Sequence, residues 1–299
     1  MIDIKLLEQL CLCNGISGDE GNVRNLIINE IKDCADDIKT DNLGNLIVFK
    51  KGKKSAKSKL MVSAHMDEVG LMVTDITSDG YLKFDEVGGI DRRVLPGKRV
   101  CVGRNGLNGV IGVKPIHLTN GDEKTAVPKM NDMYIDIGAE SREDALKYVN
   151  YGDGINFEGD FKINGKTVVT KALDDRFGCY VLINLIKSEP EYDMYFTFVV
   201  QEEVGLRGAR SAAFTVNPDF ALVIESTTAA DVAEVDVSHQ VCNLSKGATV
   251  TVMDRATVYD KEMISAAFEL AEKNNIAVQY KRAVAGGNDS GAIHQSRGG

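Results

Sequence analysis

Acidic residues and one histidine follow three short apolar runs of the sequence, at the points where predicted strands end. Open α/β sheets bind ligands in the crevice at the carboxyl ends of their strands, so these side chains are expected to meet at one edge. Imidazole nitrogens and carboxylate oxygens are ligands of zinc-like ions, so the pattern predicts a metal site there. The runs are 60–64 before His65 and Asp67, 195–200 before Glu202 and Glu203, and 220–224 before Glu225.

The adjacent acids Asp174 and Asp175 are a fourth source of potential metal ligands. A single carboxylate can bridge two ions that lie about 3.5 to 4 Å apart, so one histidine and several acids from separate loops suit a pair of metals. These two aspartates also open a predicted helix, whose positive end favours carboxylates by itself. The role of Asp175 therefore stays ambiguous.

The elements that must position these residues alternate between helix and strand at both ends of the chain. Residues 1–67 contain two predicted helices and the first strands, and the alternation returns over residues 166–299. Between them, residues 68–165 consist of short β-like pieces divided by glycine, aspartate and asparagine. We therefore predict one α/β domain, in two parts, that is interrupted by an inserted β-rich domain.

Charge and composition narrow the classes of protein. The net charge of -9 argues against a nucleic-acid partner, because binding to phosphates needs a basic face. No apolar run approaches the roughly 18 residues that cross a bilayer, so we expect a soluble protein without a membrane partner. Six thinly spread cysteines and no signal peptide favour reduced thiols and a cytoplasmic location.

Four motifs in this order resemble one known family, the tetrahedral (TET), glutamyl-type dinuclear metallo-aminopeptidases. They are SAHMDEVG at 63–70, ALDDR at 172–176, QEEVGLRGA at 201–209 and GGNDSGAIH at 286–294. The likeness begins at GISG, residues 15–18, and DNLGN, residues 41–45, and reaches the last residue.

The resemblance implies a zinc-peptidase type catalytic domain, with a mixed sheet flanked by helices, and an inserted β-barrel-like dimerisation domain. It also implies peptide substrates and dimers that assemble into a hollow tetrahedral dodecamer. Two divalent ions per subunit are expected, either zinc or cobalt, with manganese as a third candidate.

Carried over by motif, the resemblance also implies a role for each site residue. His65 and Glu225 hold one metal, Glu203 holds the other and Asp174 bridges both. Asp67 orients the His65 imidazole without ligating a metal itself. Glu202 ligates neither ion and acts as the general base on the water that bridges the two metals.

Two features depart from the family pattern. Glu225 stands where an aspartate is commoner, which keeps the carboxylate and adds one methylene of reach. The family's remaining histidine ligand lies downstream of the last motif, so we expect it beyond Gly299. His294 matches a position that is not a ligand, and packing or loop hydrogen bonding suits it better.

Several alternatives stay open at this point. Paired carboxylates also cleave glycosides, but sugar clefts use aromatic platforms, and this chain has no Trp and 6% aromatic residues. A scaffold that lost the chemistry is opposed by the intact acids. Carboxypeptidases and amidohydrolases share related folds, and the motifs favour a free amino terminus. Arg92, Arg93 and Lys114 in the insert are candidates for contact with acidic substrate side chains, so side-chain preference is open.

Overall fold

The computed structural model describes residues 3–298. Its helices are α1 Ile4–Leu12, α2 Gly21–Ile31, α3 Arg142–Ala145, α4 Leu173–Lys187, α5 Arg207–Val216, α6 Lys261–Lys273 and α7 Ser290–Ile293. The strands are β1 Asp37–Thr40, β2 Leu46–Lys50, β3 Leu60–His65, β4 Gly70–Ile76, β5 Leu82–Val87, β6 Arg99–Val102, β7 Leu107–Val113, β8 Met133–Asp136, β9 Gly154–Phe157, β10 Lys162–Asn164, β11 Thr167–Val169, β12 Met194–Val199, β13 Phe220–Val223, β14 Ala248–Val250 and β15 Val278–Tyr280. No helix within this range has the length and apolarity that crossing a membrane requires.

The main sheet is mixed, with the strand order β1-β2-β12-β3-β13. Strands β12 and β13 both run parallel to β3, and β2 runs antiparallel to its neighbours β1 and β12. In the parallel part, Val199 lies opposite His65 and Val223 opposite Ser63, so the three strands end within two residues of one another. The predicted meeting of these strand ends at one edge is confirmed.

Helices cover both faces of this sheet. On one face α1, α2 and α4 bury Leu10, Ile27 and Ile183 against Val62 and Phe196. On the other face, the small side chains of α5 and the short helix α7 pack against Met61 of β3 and Val199 of β12. The alternation of Met61 and Val62 between the two layers follows from the two-residue period of a strand. The predicted α/β fold, a mixed sheet flanked by helices, is therefore confirmed.

The segment between β3 and α4 contains a closed barrel, in the order β4-β5-β8-β7-β6-β9. Its core is separate from that of the sheet and includes Leu71, Phe84, Ile111, Ile135 and Ile155. The predicted β-rich insert is thus a barrel. The domain boundary predicted at residue 165 falls in the turn between β10 and β11. This boundary stays a prediction.

Candidate metal centre

The imidazole of His65 lies at the centre of the acidic groups that follow the parallel strands. His65 is the last residue of β3 and is 1% exposed. Its Nε2 lies 3.2 Å from Asp174 Oδ1 and 3.4 Å from Glu225 Oε1. A ligand atom from each of these three residues falls within 4.8 Å of the others, which is the spacing of groups that hold one ion.

A second group of potential ligands shares the same imidazole. His65, Glu202 and Glu203 also place one ligand atom each within 4.8 Å of one another. Glu202 and Glu203 come from the loop that follows β12, whereas Asp174 lies at the start of α4 and Glu225 follows β13. Four chain segments therefore supply one imidazole and four carboxylates to the same edge of the sheet.

Asp67 lies beside the cluster, on the Nδ1 side of His65, and it is fully buried. Its Oδ1 lies 3.4 Å from His65 Nδ1 and accepts the backbone N–H of Glu202 at 3.0 Å. Its Oδ2 accepts the backbone N–H of Glu203 at 3.1 Å and the hydroxyl of Ser17 at 2.6 Å. Burial alone would raise the pKa of Asp67, but the hydrogen bonds from His65, Ser17 and Glu202 outweigh it and lower that pKa.

The two neighbouring aspartates of the ALDDR motif face different surroundings across a cis peptide bond. The Asp174 side chain is 57% exposed and points toward His65. Asp175 is fully buried, and its carboxylate accepts the backbone N–H groups of His65 at 3.3 Å and Gly178 at 3.1 Å. Asp175 thus joins the first turn of α4 to the end of β3. In the structure its contacts are with the backbone, whereas Asp174 faces His65.

Negative charge is concentrated in the cluster with little water to stabilise it. Burial, before any other cause, raises the pKa of Glu202 to about 8 and the pKa values of Glu203 and Glu225 to about 7. Burial would lower the pKa of His65, but the charge of Glu225 and the contacts with Asp174 and Asp67 raise it well above its ordinary value. A bound cation would stabilise the carboxylates in their charged form.

One acidic residue near the site has no role in the sequence prediction. Asp289 is fully buried, and neither of its carboxylate oxygens has a hydrogen-bond partner among residues 3–298. Burial raises its pKa to about 8, and its charge contributes to the raised pKa of Glu202. The signal that could have found it is the GGNDSG motif, whose acid follows a glycine-rich turn.

The remaining histidines of the chain lie outside both groups of ligands. His294 is exposed, and its Nδ1 lies 2.8 Å from the carbonyl oxygen of Ser290. This contact fits the predicted loop hydrogen bonding. The prediction of a further histidine ligand beyond Gly299 stays a prediction.

Comparison with known proteins connects this geometry to a family. The model of the M42 glutamyl aminopeptidases matches residues 44–299. A lysyl aminopeptidase of Pyrococcus furiosus is 34% identical over 94% of this chain and 81% of the relative.

Solved structures share the whole fold. A TET aminopeptidase from a marine sediment archaeon of the Thaumarchaeota superposes with a TM-score of 0.93 at 34% identity, covering 99% of this chain and 85% of that one. The Pyrococcus horikoshii TET1 peptidase, which can assemble into a tetrahedron or a large octahedral shell, gives 0.85 at 40% identity, covering 98% and 88%. A Thermotoga maritima protein described as an endoglucanase gives 0.81 at 40% identity, covering 94% and 84%. From its family match and from relatives of this similarity, the chain belongs to the M42 glutamyl aminopeptidase family.

Proposed function

We propose that this chain is a dinuclear metal-dependent aminopeptidase that removes residues from the free amino terminus of peptides. One observation carries the proposal: four chain segments bring His65 and four carboxylates together at the edge where the parallel strands end. The membership of the M42 aminopeptidase family supports the reaction class.

The donor set fits divalent zinc, cobalt or manganese. His65 and Glu225 would hold one ion, Glu203 the other, and Asp174 would contact both. Glu225 Oε2 is buried without a hydrogen-bond partner among the described residues, as expected of an oxygen reserved for a cation. His65 Nδ1 meets Asp67, which leaves Nε2 to face the acids, and this is how ligating histidines are commonly oriented.

Divalent ions held by these residues would supply polarisation of the scissile carbonyl and would make a water acidic enough to attack at neutral pH. Glu202 takes the proton of the attacking water at a side-chain oxygen and then delivers it to the departing amine. Its backbone N–H is held by Asp67, so the start of this side chain is fixed relative to His65. Burial raises the pKa of Glu202 to about 8 in the metal-free protein, and nearby cations would lower that pKa, so that the carboxylate could take a proton near neutral pH.

We further propose that the inserted barrel mediates dimerisation, and that dimers assemble into a larger shell such as a dodecamer. The relatives with TET assemblies support this. In this proposal residues 1–67 and 166–299 form the catalytic domain and residues 68–165 form the dimerisation domain.

A glycosidase is the second candidate function, because one structural relative at 40% identity is described as an endoglucanase. Glycosidases of the usual type act through two carboxyl groups. They have no use for the buried imidazole of His65, which lies within 3.4 Å of two acids of the cluster. The absence of Trp from the sequence also removes the commonest sugar platform.

A substrate panel tests the two functions together. Metal-loaded protein is incubated with the nitroanilides of Leu, Glu, Asp and Lys, and in parallel with cellulose. We expect release of nitroaniline from at least one aminoacyl substrate, loss of this activity in chelator and its return with zinc, cobalt or manganese. Full activity after verified removal of metal would refute the metal mechanism, and cellulose cleavage without nitroanilide cleavage would favour the glycosidase.

A further inference from the structure

The loop of residues 14–17, between α1 and α2, lies where the barrel meets the metal centre. Asn14 Nδ2 donates to Cys101 Sγ of β6 at 3.4 Å, and the Gly15 N–H donates to Asn156 Oδ1 of β9 at 3.1 Å. Cys101 and Asn156 belong to the barrel, so this loop of the sheet domain is fixed to it by two hydrogen bonds.

Ile16 closes the same junction by packing. It is fully buried, and a Cβ placed on Gly70, the first residue of β4, would lie 2.2 Å from Ile16 Cγ2. Gly154 of β9 approaches Ile16 in the same way, because a Cβ there would lie 3.0 Å from Ile16 Cδ1. Two barrel strands therefore contact this side chain through glycines, and the loop has no room to shift toward the barrel.

On its other side the loop reaches the metal centre through Ser17, which is 5% exposed. The Ser17 hydroxyl donates to Asp67 Oδ2 at 2.6 Å, the shortest of the hydrogen bonds to that carboxylate. Hydrogen bonds from a hydroxyl to a buried carboxylate are charge-assisted and stronger than neutral ones. Ser17 therefore constrains the rotation of the Asp67 carboxylate.

Arg176 holds this loop in position. Its side chain is fully buried and donates to the carbonyl oxygens of Leu10, Cys13 and Met66 at 2.7 Å and of Gly15 at 3.1 Å. It follows Asp174 and Asp175 directly in the sequence. One guanidinium thus ties the end of α1, the loop and the residue after His65 to the start of α4.

Glu68 offsets the buried charge of this guanidinium. Its Oε1 lies 3.5 Å from Arg176 Nη2, and it also accepts a hydrogen bond from Lys171 Nζ at 2.8 Å. The Glu68 N–H donates to the Gly15 carbonyl at 3.1 Å. The loop is thus hydrogen-bonded to Asp67 through Ser17 and to Glu68 through Gly15.

We propose that Ser17, in the loop that Arg176 and the barrel hold, is a positioning residue for the reaction. It acts through the Asp67 carboxylate, which accepts the backbone N–H groups of Glu202 and Glu203. The same carboxylate lies 3.4 Å from His65 Nδ1, whose closer contact is the Asp67 carbonyl oxygen at 3.1 Å. Rotation of that carboxylate moves a metal ligand and the general base together. The inference rests on the proposed function, because it assigns those roles to the three residues.

The test compares Ser17→Ala with Ser211→Ala, which removes another serine–aspartate hydrogen bond, from Ser211 Oγ of α5 to Asp41 Oδ2, between β1 and β2, at 2.9 Å. For each variant, kcat and KM are measured at saturating cobalt, and cobalt affinity and Tm are measured without substrate. Removing a group that orients ligands typically weakens metal affinity or activity by about 10- to 100-fold. We expect Ser17→Ala to lower kcat or cobalt affinity about 10-fold with KM within about twofold, and Ser211→Ala to change neither.

A double-mutant cycle with Asp67→Asn shows whether Ser17 acts through Asp67. If it does, adding Ser17→Ala to Asp67→Asn causes less than about a twofold further change in cobalt affinity, because coupled residues are not additive. The proposal is overturned if Ser17→Ala keeps wild-type kcat and cobalt affinity, if it lowers only Tm, or if its effect on cobalt affinity is undiminished in the Asp67→Asn background. Absence of metal-dependent peptide hydrolysis in the wild type would instead refute the proposed function, and the cobalt titrations would still decide the role of Ser17.

Discussion

Two adjacent glutamates at the metal centre have the same backbone anchor and different proposed roles. The N–H groups of Glu202 and Glu203 both donate to Asp67, at 3.0 and 3.1 Å. The two residues open a turn, in which the Glu202 carbonyl accepts the N–H groups of Gly205 and Leu206. In the proposed function one side chain ligates an ion while its neighbour handles a proton. This arrangement allows the base and a ligand to be placed by a single buried carboxylate.

Substituting each glutamate by glutamine separates the two roles. We expect Glu202→Gln to keep its metal content and to lower kcat by roughly 100-fold or more, because the amide keeps the shape but takes no proton. Glu203→Gln should lose metal, because a neutral amide oxygen is a poorer ligand than a carboxylate. Mass spectrometry of bound metal, beside steady-state kinetics on the same preparations, distinguishes these outcomes. Metal loss in Glu202→Gln with full occupancy in Glu203→Gln would reverse the two assignments.

For the individual residues of the site, the sequence predicted which side chains lie together but not which side chains surround them. His65, Glu202, Glu203 and Glu225 were found because each follows an apolar run, and parallel strands end at one edge. Asp289 follows no such run, and its burial depends on how α7 packs on the sheet. Asp289 was not predicted because the burial of a polar side chain outside a strand depends on tertiary packing.

Among the elements, α5 begins directly after the loop that carries both glutamates. Its second residue, Gly208, donates its N–H to the Val200 carbonyl, and its own carbonyl accepts from Asn45 Nδ2. A Cβ at this position would lie 2.3 Å from Val200 O and 2.4 Å from Asn45 Oδ1. The absence of a side chain therefore allows α5 to lie against the end of β12.

We expect Gly208→Ala to destabilise the protein by about 1 to 3 kcal/mol, the usual cost of overpacking, and to lower activity by displacing the preceding loop. Gly21→Ala is the matched control, since Gly21 opens α2 and a Cβ there would meet only Arg24 Nη2 at 3.7 Å. That change should be neutral or stabilising by up to about 1 kcal/mol, as alanine favours a helix over glycine. Urea denaturation of both variants gives the comparison, and equal effects would contradict the packing argument.

The accuracy of the sequence prediction varied with the apolar content of each element. Strands β3 and β12 were found because their hydrophobic runs are unambiguous. Strand β1, Asp37–Thr40, was missed because its residues are polar and mostly exposed at the edge of the sheet. The hairpin of β10 and β11 was also missed, although its turn contains Gly165 with φ of 63°, a usual hairpin signal.

The acidic centre gives the whole molecule a pH-dependent stability when metal is removed. Folding raises the pKa of Glu202 to about 8 and those of Glu203 and Glu225 to about 7, from 4.5, and it raises that of His65. The folded protein therefore binds more protons than the unfolded chain over this window, so its stability is highest at the acidic end and falls as pH rises.

We accordingly expect the Tm of chelated protein to fall between about pH 5 and pH 8, since the site carboxylates lose their protons over that range. Saturating zinc should abolish or reverse this trend, because metal binding displaces protons from its ligands and becomes tighter as pH rises. Differential scanning fluorimetry across the pH series, with and without metal, measures both slopes. A metal-free Tm that rises through this range would show that the acids of the centre do not control stability.

The barrel exposes apolar side chains that the interior of the monomer does not use. Between β7 and β8, Ile116 and Leu118 lie on one short helical turn, 69% and 57% exposed, and Val110 of β7 is 45% exposed. Exposed apolar residues that cluster on one surface mark interaction sites more often than isolated ones do. They are therefore the first candidates for the proposed dimer interface of the barrel.

We expect the protein to be at least a dimer at micromolar concentration and Ile116→Asp with Leu118→Asp to yield monomers, because two charges would be buried without partners at the interface. Leu270→Asp on α6 is the control, since Leu270 is 59% exposed but lies outside the barrel. It should leave the barrel interface intact and keep at least the dimer.

Size-exclusion chromatography with light scattering gives the mass of each species. A wild-type monomer would refute barrel-mediated dimerisation, and dimers in the double variant would move the interface to another surface. Because the candidate ligands His65, Asp174, Glu203 and Glu225 come from one chain, monomers that retain their metal should still cleave small aminoacyl substrates.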